Sequence, residues 1–300
     1  MEKQTIQNII YTIVVIVGFI SFIYYTLKDN GEEKKPTPPM VNELEVQFVD
    51  VGQADCILIR NNKYNVLIDA GNNKDGSLLV KYFKELGITK FDYVIGTHPH
   101  EDHIGGLDNI INNFEVEHVL MPDVTTNTKT FTDVLDAIEK KELSIEVPTI
   151  DETFKIGDLV FKTIFTGTNN EDLNASSIVL RMDYKNNSYL FTSDITGEVE
   201  ETLLDKDIDV DIYQVAHHGS TYSNTYNFLE KVTPEYAFIQ LGKDNEYYYP
   251  HIKAINRIKK HTDKIYMNSE KGTIIIKDNG EDIEIDFKQT NTDGDKKWDM

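Results

Sequence analysis

The sequence predicts an α/β (α+β) protein in which two β-sheets pack against each other beneath covering helices, preceded by one N-terminal transmembrane helix. Three observations lead to this class. Short runs rich in valine, isoleucine, leucine and phenylalanine, broken by glycine or asparagine, dominate the first half of the folded part. Such runs alternate with amphipathic helical patterns in the second half. An uncharged apolar run near the amino terminus is long enough to cross a bilayer.

The membrane anchor is predicted at residues 9–27, after a short N-terminal tail at residues 1–8. The anchor, "IIYTIVVIVGFISFIYYTL", carries no charge and ends beside tyrosines, which are typical of membrane interfaces. A cleaved signal peptide would have a shorter apolar core and a small-residue cleavage site, and the following "KDNGEEKK" has none. Lysines lie on both sides of the span and do not decide its orientation. From the short tail we expect a single-pass protein of the cell membrane with its catalytic domain outside the cell.

The folded domain is predicted at residues 44–288, between a charged, proline-rich linker at residues 28–43 and a polar tail at residues 289–300. Strands are predicted, in order, at "LEVQFVDV", "DCILIR", "YNVLIDAG", "FDYVIGTH", "LVFKTIF", "SSIVLRMDY", "NSYLFTSD", "DIYQVAHH", "EYAFIQLG", "KIYMN" and "GTIIIKD". Helices are predicted at "SLLVKYFKELGI", "TFTDVLDAIEKKE", "TGEVEETLLD", "SNTYNFLEKV" and "IKAINRIKKH".

Charge and cysteine content argue against two classes of protein. The 300 residues carry a formal net charge of −21. They show no lysine and arginine cluster of the kind that marks a sequence-independent DNA-binding surface. Cys56 is the one cysteine, which excludes an internal disulfide framework and a cysteine-rich zinc site. Because Cys56 lies in the apolar run "DCILI", core packing is its expected role.

The stretch "THPHEDHIGG", residues 97–106, has the composition of a metal site. The chain has eight histidines, and His98, His100 and His103 all lie here. The intervening proline favours an extended backbone, in which side chains two apart point the same way, so His98 and His100 can meet one metal ion. Asp102 and His103 add an oxygen and a nitrogen ligand, a set that suits zinc, iron or manganese. The two glycines that follow let the backbone turn tightly.

Several blocks of the sequence resemble the metallo-β-lactamase superfamily. "THPHEDH" is similar to the H-x-H-x-D-H signature of that family. "FVDVGQADCILI", "LIDAG", "SSIVLRM", "YLFTSD", "HHGS" and "GKDNEYYYPH" are also similar to the hydrolase domain of ComEC-type competence proteins, over about residues 44–287. The resemblance implies a four-layer αββα sandwich with a metal site at its edge. We expect two Zn²⁺ ions there, with Mn²⁺ as the alternative.

The resemblance also implies individual metal ligands. By position, His98 and His100 would bind the first metal ion, Asp102 and His103 the second, and Asp194 would bridge both. Asp194 leaves the apolar strand "YLFTSD", a poor position for a core role, although an N-cap for the following helix is the alternative. Asp102 is also assigned a catalytic role.

The block "HHGS" is expected to supply the ligand that the first metal ion still lacks. The family's third histidine would lie shortly before the strand of Asp194, where this chain reads "DLNASSIVL". We prefer His217 as that ligand. His218 is assigned a catalytic role, in proton transfer or in support of the ligands, and the reverse assignment stays open.

The last ligand of the second metal ion is the point where the chain departs from the family. Relatives read Gly-His-Pro where this chain reads "YYYPH", which aligns Tyr249 with the missing histidine. His251, two residues on, is a candidate replacement, and a water molecule is the alternative. Residues 247–249 are either an aromatic wall for a substrate or ordinary packing tyrosines. Asp69 in "LIDAG" is expected to accept the second N–H of a metal-bound histidine.

The predicted function is that of a membrane-anchored, metal-dependent hydrolase, and more narrowly a phosphodiesterase or nuclease that uses a metal-bridging hydroxide. The resemblance implies DNA as the substrate, whereas the net charge of −21 argues against tight DNA binding. Three alternatives stay open. They are a hydrolase of a small or wall-linked phosphoester such as a phosphocholine ester, a metal-stabilised binding domain without turnover, and an iron redox protein that would need a flavin partner domain. Protein partners are not predicted.

Overall fold

A computed structural model describes residues 41–289. The predicted tail at residues 1–8, the anchor at residues 9–27, the linker as far as residue 40 and the polar tail from residue 290 lie outside the described residues. Within residues 41–289, no helix combines the length and the apolar composition that crossing a membrane requires.

The strands alternate polar and apolar residues or are apolar throughout, as strands that bury one or both faces do. In chain order they are β1 (Val41–Phe48), β2 (Ile57–Asn62), β3 (Tyr64–Ile68), β4 (Lys90–Ile95), β5 (Glu115–Leu120), β6 (Ile145–Glu146), β7 (Thr153–Ile156), β8 (Leu159–Phe165), β9 (Val179–Tyr184), β10 (Asn187–Phe191), β11 (Ile212–Gln214), β12 (Tyr236–Ile239), β13 (Ile265–Met267), β14 (Thr273–Asp278) and β15 (Ile283–Lys288).

The strands form two sheets. The spatial order is β15-β14-β1-β2-β3-β4-β5-β6 in the first sheet and β13-β12-β11-β10-β9-β8-β7 in the second. Each sheet contains a parallel segment, β3-β4-β5-β6 in the first and β10-β11-β12-β13 in the second. Within each segment the carboxyl ends of the strands therefore lie along one edge.

The helices lie between the strands in sequence. They are α1 (Gly76–Glu85), α2 (Glu101–Ile104), α3 (Leu107–Asn113), α4 (Lys129–Lys140), α5 (Gly197–Thr202), α6 (Tyr226–Val232), α7 (Ile252–Ile258) and α8 (Asn268–Lys271), with short 3-10 helices at Asn174–Ser176 and Ala216–Gly219. Helix α4 begins at an N-cap, Thr128, whose side chain accepts a hydrogen bond from the N–H of Phe131.

The apolar faces of the two sheets meet in a shared core. Phe48 of the first sheet stacks on Phe238 of the second with ring centroids 4.8 Å apart, and burial of each such side chain contributes about 1.5–3 kcal/mol. A second core joins the first sheet to α1, α3 and α4. A third joins the second sheet to α5, α6 and α7. The layers therefore run helix, sheet, sheet, helix, and the predicted architecture is confirmed.

The predicted strands and helices each overlap an element of the structure. Strands β5, β6, β7 and β15 and the short helices α2, α3 and α8 were not predicted. Strand β15, "IEIDFK", lies at the edge of the first sheet, where its isoleucines are only partly buried. Edge strands need few apolar residues and often carry charges, so the pattern in the sequence is weak.

Candidate metal centre

The candidate site lies where parallel strands of both sheets end. Asp69 follows β3 and His98 follows β4 in the first sheet. In the second sheet Asp194 follows β10, and His217 and His218 lie in the 3-10 helix after β11. Loops at the carboxyl ends of parallel strands meet around a crevice, which is the usual place for a site in such sheets.

The first histidine loop brings His98 and His100 together. His100 is the N-cap of α2, with an extended backbone (φ −76°, ψ 151°). Nε2 of His98 lies 3.0 Å from Nδ1 of His100. The structure therefore agrees with the extended segment predicted at this point, since two side chains two positions apart lie on the same side.

The glycines of this loop are required for space and not for an unusual backbone angle. Gly105 and Gly106 have φ values of −56° and −93°, which any residue adopts. A Cβ at Gly105 would lie 2.3 Å from the backbone of Asn72 and Asn73, and one at Gly106 would lie 2.4 Å from the carbonyl oxygen of Ala70. The expected tight turn is thus a close approach between two loops.

One set of candidate ligands consists of Asp102, His103, Asp194 and His218, whose ligand atoms all lie within 4.8 Å of one another. Nε2 of His103 lies 3.4 Å from Oδ2 of Asp194. Nε2 of His218 lies 3.4 Å from Oδ2 of Asp102 and 3.7 Å from Oδ2 of Asp194. His218 therefore lies beside Asp102 and His103. This is the position for which the sequence analysis lacked the last ligand of the second metal ion.

His217 approaches Asp194 from another direction. Its Nε2 lies 3.7 Å from Oδ2 of Asp194. Both His217 and His218 have φ of 52°, in the left-handed region. The N–H of His217 donates to the carbonyl oxygen of Ser193 at 2.9 Å, and Nδ1 of His218 donates to the carbonyl oxygen of Gln240 at 2.8 Å. Both imidazoles can therefore present Nε2 to the site.

Several candidate ligand atoms lack hydrogen-bond partners. Within the described part of the chain, Nε2 of His103, Nε2 of His218 and Oδ1 of Asp194 are buried and unpaired. An unpaired buried polar atom costs about 1–3 kcal/mol, so native proteins contain few of them. A cation would satisfy these atoms, and imidazole with carboxylate donors suits zinc, iron or manganese. The residues present thus fit a metal ion.

The pKa values in the cluster follow the distribution of carboxylates. Burial lowers the pKa of His98 and of His100, so their imidazoles are neutral. Burial also opposes charge on His103 and His218, but the carboxylates around them, led by Asp194, raise both pKa values well above the ordinary range. Without a metal ion, protons on His103 and His218 balance the carboxylates, and a bound cation would replace those protons.

Asp69 orients His103 from behind. Its Oδ2 accepts a hydrogen bond from Nδ1 of His103 at 2.8 Å. The same carboxylate accepts the N–H of Thr97 at 2.8 Å and its hydroxyl at 2.7 Å. The predicted contact between Asp69 and a site histidine is confirmed. It leaves Nε2 of His103 free to act as a ligand atom.

Asp55 and Gln214 support the site and were not predicted. Asp55 is buried; one oxygen accepts the side-chain N–H of Gln214 at 2.6 Å, and the other lies 3.4 Å from Nδ1 of His218. Oε1 of Gln214 accepts the N–H groups of Thr192 and Ser193. The available signal was a carboxylate directly before the buried strand "CILI", since a buried charge needs a partner.

His251 is not brought into the cluster. It is the N-cap of α7, and its Nδ1 accepts the N–H of Thr221 at 2.9 Å. Tyr249 lies closer: its hydroxyl is 3.2 Å from Nε2 of His217, and its ring lies 5.9 Å from that of His218. The aromatic side chain thus occupies the space beside the histidines.

A cavity of about 360 Å³ opens over these residues. It is lined by Gln53, His100, Glu101, Asp102, Asn174, Asp194, His217, His218, Tyr247 and Tyr249. No lysine or arginine is among these lining residues. Negative charge on a substrate would therefore have to be balanced mainly by bound cations.

The family model described as the metallo-beta-lactamase superfamily matches residues 49–243. The chain belongs to the metallo-β-lactamase superfamily. Proteins of this superfamily are generally metal-dependent hydrolases. The match includes both histidine loops and Asp194, whereas Tyr249 and His251 lie beyond it.

Two curated relatives connect this superfamily member with competence proteins. The chain is 27% identical over 297 residues to ComE operon protein 3 of Bacillus subtilis (strain 168), covering 91% of this chain and 37% of that protein. It is 23% identical to competence protein ComA of Neisseria gonorrhoeae, covering 88% of this chain and 35% of that protein. The chain thus spans little more than a third of the length of these relatives. The predicted resemblance to competence-type proteins is confirmed.

Solved structures of the superfamily share the fold. The metallo-β-lactamase fold protein YhfI from Bacillus subtilis aligns with a TM-score of 0.52 and 12% sequence identity, covering 75% of this chain and 95% of that chain. At this identity the likeness concerns the architecture alone.

Proposed function

We propose that this chain is a membrane-anchored, metal-dependent phosphodiesterase that cleaves nucleic acid. The observation that carries the proposal is the convergence of two histidine loops, one from each sheet, on the carboxylate of Asp194. One set of ligands is Asp102, His103, Asp194 and His218. The other, which the family resemblance implies, is His98, His100, His217 and Asp194. Two metal ions sharing one carboxylate would account for both sets and for the unpaired buried atoms.

Zn²⁺ is the metal ion that these donors favour, because imidazole nitrogens outnumber carboxylates, and Mn²⁺ is the alternative. When bound, two such ions supply a hydroxide near neutral pH and stabilise the charge of a phosphoryl group. The chain's own residues would hold and orient these ions. Asp69 and Gln240 fix the tautomers of His103 and His218 by accepting their Nδ1–H groups.

The similarity to ComE operon protein 3 and to competence protein ComA supports DNA as the substrate. The apolar run at residues 9–27 supports attachment to the cell membrane. The proposal puts the catalytic domain outside the cell. Such a location suits an enzyme that meets DNA arriving from the exterior. Protein partners would be needed for any transport of that DNA.

A second candidate is hydrolysis of a small phosphoester. The net charge of −21 and a cavity without lysine or arginine favour a substrate with few phosphates, since a long polyanion would be repelled. A phosphocholine ester of the cell wall is one such substrate.

The deciding experiment uses the full chain in mild detergent, stripped of metal and reloaded with zinc or manganese. Hydrolysis of bis-p-nitrophenyl phosphate, of an oligonucleotide and of p-nitrophenylphosphocholine is measured beside metal content by mass spectrometry. Asp102→Ala tests the ligands, and His118→Ala is the matched control, because His118 pairs with Glu146 outside the cluster.

Metal-dependent cleavage of the oligonucleotide that Asp102→Ala abolishes and His118→Ala retains would support the proposal. Turnover of the phosphocholine substrate alone would favour the second candidate. Two bound metal ions without any turnover would instead indicate another ester or amide substrate, and one metal ion or none without turnover would indicate a metal-stabilised binding domain.

A further inference from the structure

One exposed aromatic side chain, Tyr247, lines the cavity, and the segments that follow His218 and precede His251 carry further exposed tyrosines. Among the described residues, the exposed tyrosines are Tyr222, Tyr226, Tyr247 and Tyr248. Their two segments are joined directly, since the N–H of His251 donates to the carbonyl oxygen of Gly219 at 3.0 Å.

Tyr247 and Tyr249 form a stacked pair that lines the cavity. Their ring centroids are 5.5 Å apart, and the planes differ by 17°. Tyr249 packs edgewise against the rings of His217 and His251 on its other sides. Tyr247 remains 54% exposed, and the next residue, Tyr248, is 85% exposed. The pair therefore extends from the histidines out to solvent.

The loop that presents these rings is held in one conformation by Asn245. The side-chain oxygen of Asn245 accepts the N–H of Tyr249 at 2.9 Å, and its amide donates to the carbonyl oxygens of Gly242 and Tyr249 at 3.0 and 2.8 Å. Tyr248 has φ of 60°, a left-handed conformation that is uncommon for a large side chain. Such strain persists only where the surrounding contacts maintain it, often at a binding site.

The cavity lacks the positively charged side chains with which proteins usually bind nucleic acid. Lysine and arginine contacts to phosphate normally supply most of the affinity, and none lines this cavity. Stacking of a base on an aromatic side chain is the other general means, and it needs no positive charge. It requires an unpaired base, because bases within a duplex already stack on their neighbours.

We propose that Tyr247, stacked on Tyr249, forms a stacking site for the unpaired base of the nucleotide next to the scissile phosphodiester. The inference rests on the proposed phosphodiesterase function and narrows its substrate to single-stranded ends or segments. Recognition depends on the ring face, so it tolerates any base sequence, and it responds weakly to salt because few phosphate contacts are made.

The test compares two substrates with the same leaving group. Thymidine 5′-(p-nitrophenyl phosphate) carries a base, and methyl p-nitrophenyl phosphate does not. The zinc-loaded full chain is expected to prefer the thymidine substrate in kcat/KM, mainly through KM. Tyr247→Ala should reduce this preference by roughly 5- to 100-fold. Tyr247→Phe should retain it, because the ring is kept.

Phe287→Ala serves as the control, since Phe287 is exposed but does not line the cavity. A second measurement follows binding of a single-stranded oligonucleotide containing 2-aminopurine, whose fluorescence falls on stacking. Quenching that Tyr247→Ala removes and a duplex does not show would support the stacking site even if the chain had no hydrolytic activity. Turnover of both substrates with equal kcat/KM, or quenching unchanged in Tyr247→Ala, would overturn the stacking site and leave the phosphodiesterase function standing. Absence of both turnover and quenching would overturn both proposals.

Discussion

The two histidine loops of the site reach the same carboxylate by different backbone routes. The loop after β4 uses an extended segment followed by the short helix α2, and none of its residues from 97 to 106 has a positive φ. The loop after β11 holds His217 and His218 consecutively, each with φ of 52°. The first loop therefore converges by sequence spacing, and the second converges by an uncommon backbone conformation.

This difference shows where the ligands of such a site can be read from the sequence. Spacings of two and three positions give convergence in ordinary extended and helical backbone. Two adjacent imidazoles diverge in a strand, and they converge here only because a left-handed conformation costing about 1–3 kcal/mol per residue is maintained by its surroundings. The hydrogen bonds to Ser193 and Gln240 provide that support.

Asp194→Ala is expected to have the largest effect, because both loops depend on this carboxylate. Hydrolysis of bis-p-nitrophenyl phosphate should fall by about 10³-fold or more, since bound metal ions contribute several kcal/mol to catalysis. Metal content per chain should fall as well, measured by mass spectrometry. Asp158→Ala, an exposed turn residue, is the control. Full metal content in Asp194→Ala would contradict the shared-carboxylate arrangement.

His217→Ala and His218→Ala test the comparison directly. Each should lose one metal ion and about 10²-fold or more in rate. Because His218 lies 3.4 Å from Asp102, the double variant with Asp102→Ala should lose little beyond either single change. The double variant of His217 and Asp102 should lose clearly more than either single change, since these residues belong to different sets, although the shared Asp194 keeps the losses below the additive value. If the double variant of His217 and Asp102 instead lost little beyond either single change, His217 would belong to the ligand set of Asp102 and His218 to the other set.

Asp69→Asn should reduce zinc affinity by about 10- to 100-fold, because it weakens the acceptor that orients His103. A competition titration with a chromophoric chelator measures this change. Asp92→Asn provides a matched control, since Asp92 is also buried but accepts the N–H of Asn65 instead. Equal losses in both variants would indicate a general loss of stability.

The two ligand sets should differ in their pH dependence. Carboxylates raise the pKa of His103 and His218, so these groups carry protons near neutral pH that a metal ion must displace. As the pH falls, proton competition increases and affinity decreases by about tenfold per pH unit for each proton released. Burial lowers the pKa of His98 and His100, so their set should respond little above about pH 6.5.

The variants His217→Ala and His218→Ala isolate the two sets for this measurement. The chain lacking His217 retains Asp102, His103 and His218 and should show the steep dependence. The chain lacking His218 should show the shallow one. If the zinc affinity of the two variants changed equally with pH between 6.5 and 8, the predicted difference between the two ligand sets would be wrong.

Tyr249→Phe should have the smallest effect. It removes the hydroxyl that lies 3.2 Å from Nε2 of His217. Once a metal ion occupies Nε2, this hydroxyl contributes no more than one hydrogen bond elsewhere in the site, about 0.5–1.5 kcal/mol. The rate should therefore fall only about 2- to 10-fold, with metal content unchanged. Tyr266→Phe is the control, since Tyr266 stacks on Phe238 and does not line the cavity. A loss as large as that of His217→Ala would make Tyr249 a ligand.

Much of the fold could be predicted from apolar periodicity, because the buried strands and the covering helices carry strong patterns. The edge strand β15 could not, since its side chains are only partly buried. In the site, the first histidine loop and the role of Asp69 followed from spacing and from the family resemblance. The position of His218 and the contacts of Asp55 did not, because both depend on strands far apart in sequence.

The sequence by itself determined the αββα class, the superfamily and the histidines from 98 to 103, since each rests on local periodicity or on a contiguous motif. Tertiary structure alone decided that His218 stands beside Asp102, that His251 turns away to Thr221, and that Tyr249 packs against His217. The physical reason is that these contacts arise where separate parallel strands end together. The left-handed backbone of His217 and His218 then sets the directions of their side chains. Neither the meeting of the strand ends nor this backbone conformation can be predicted from a short stretch of sequence.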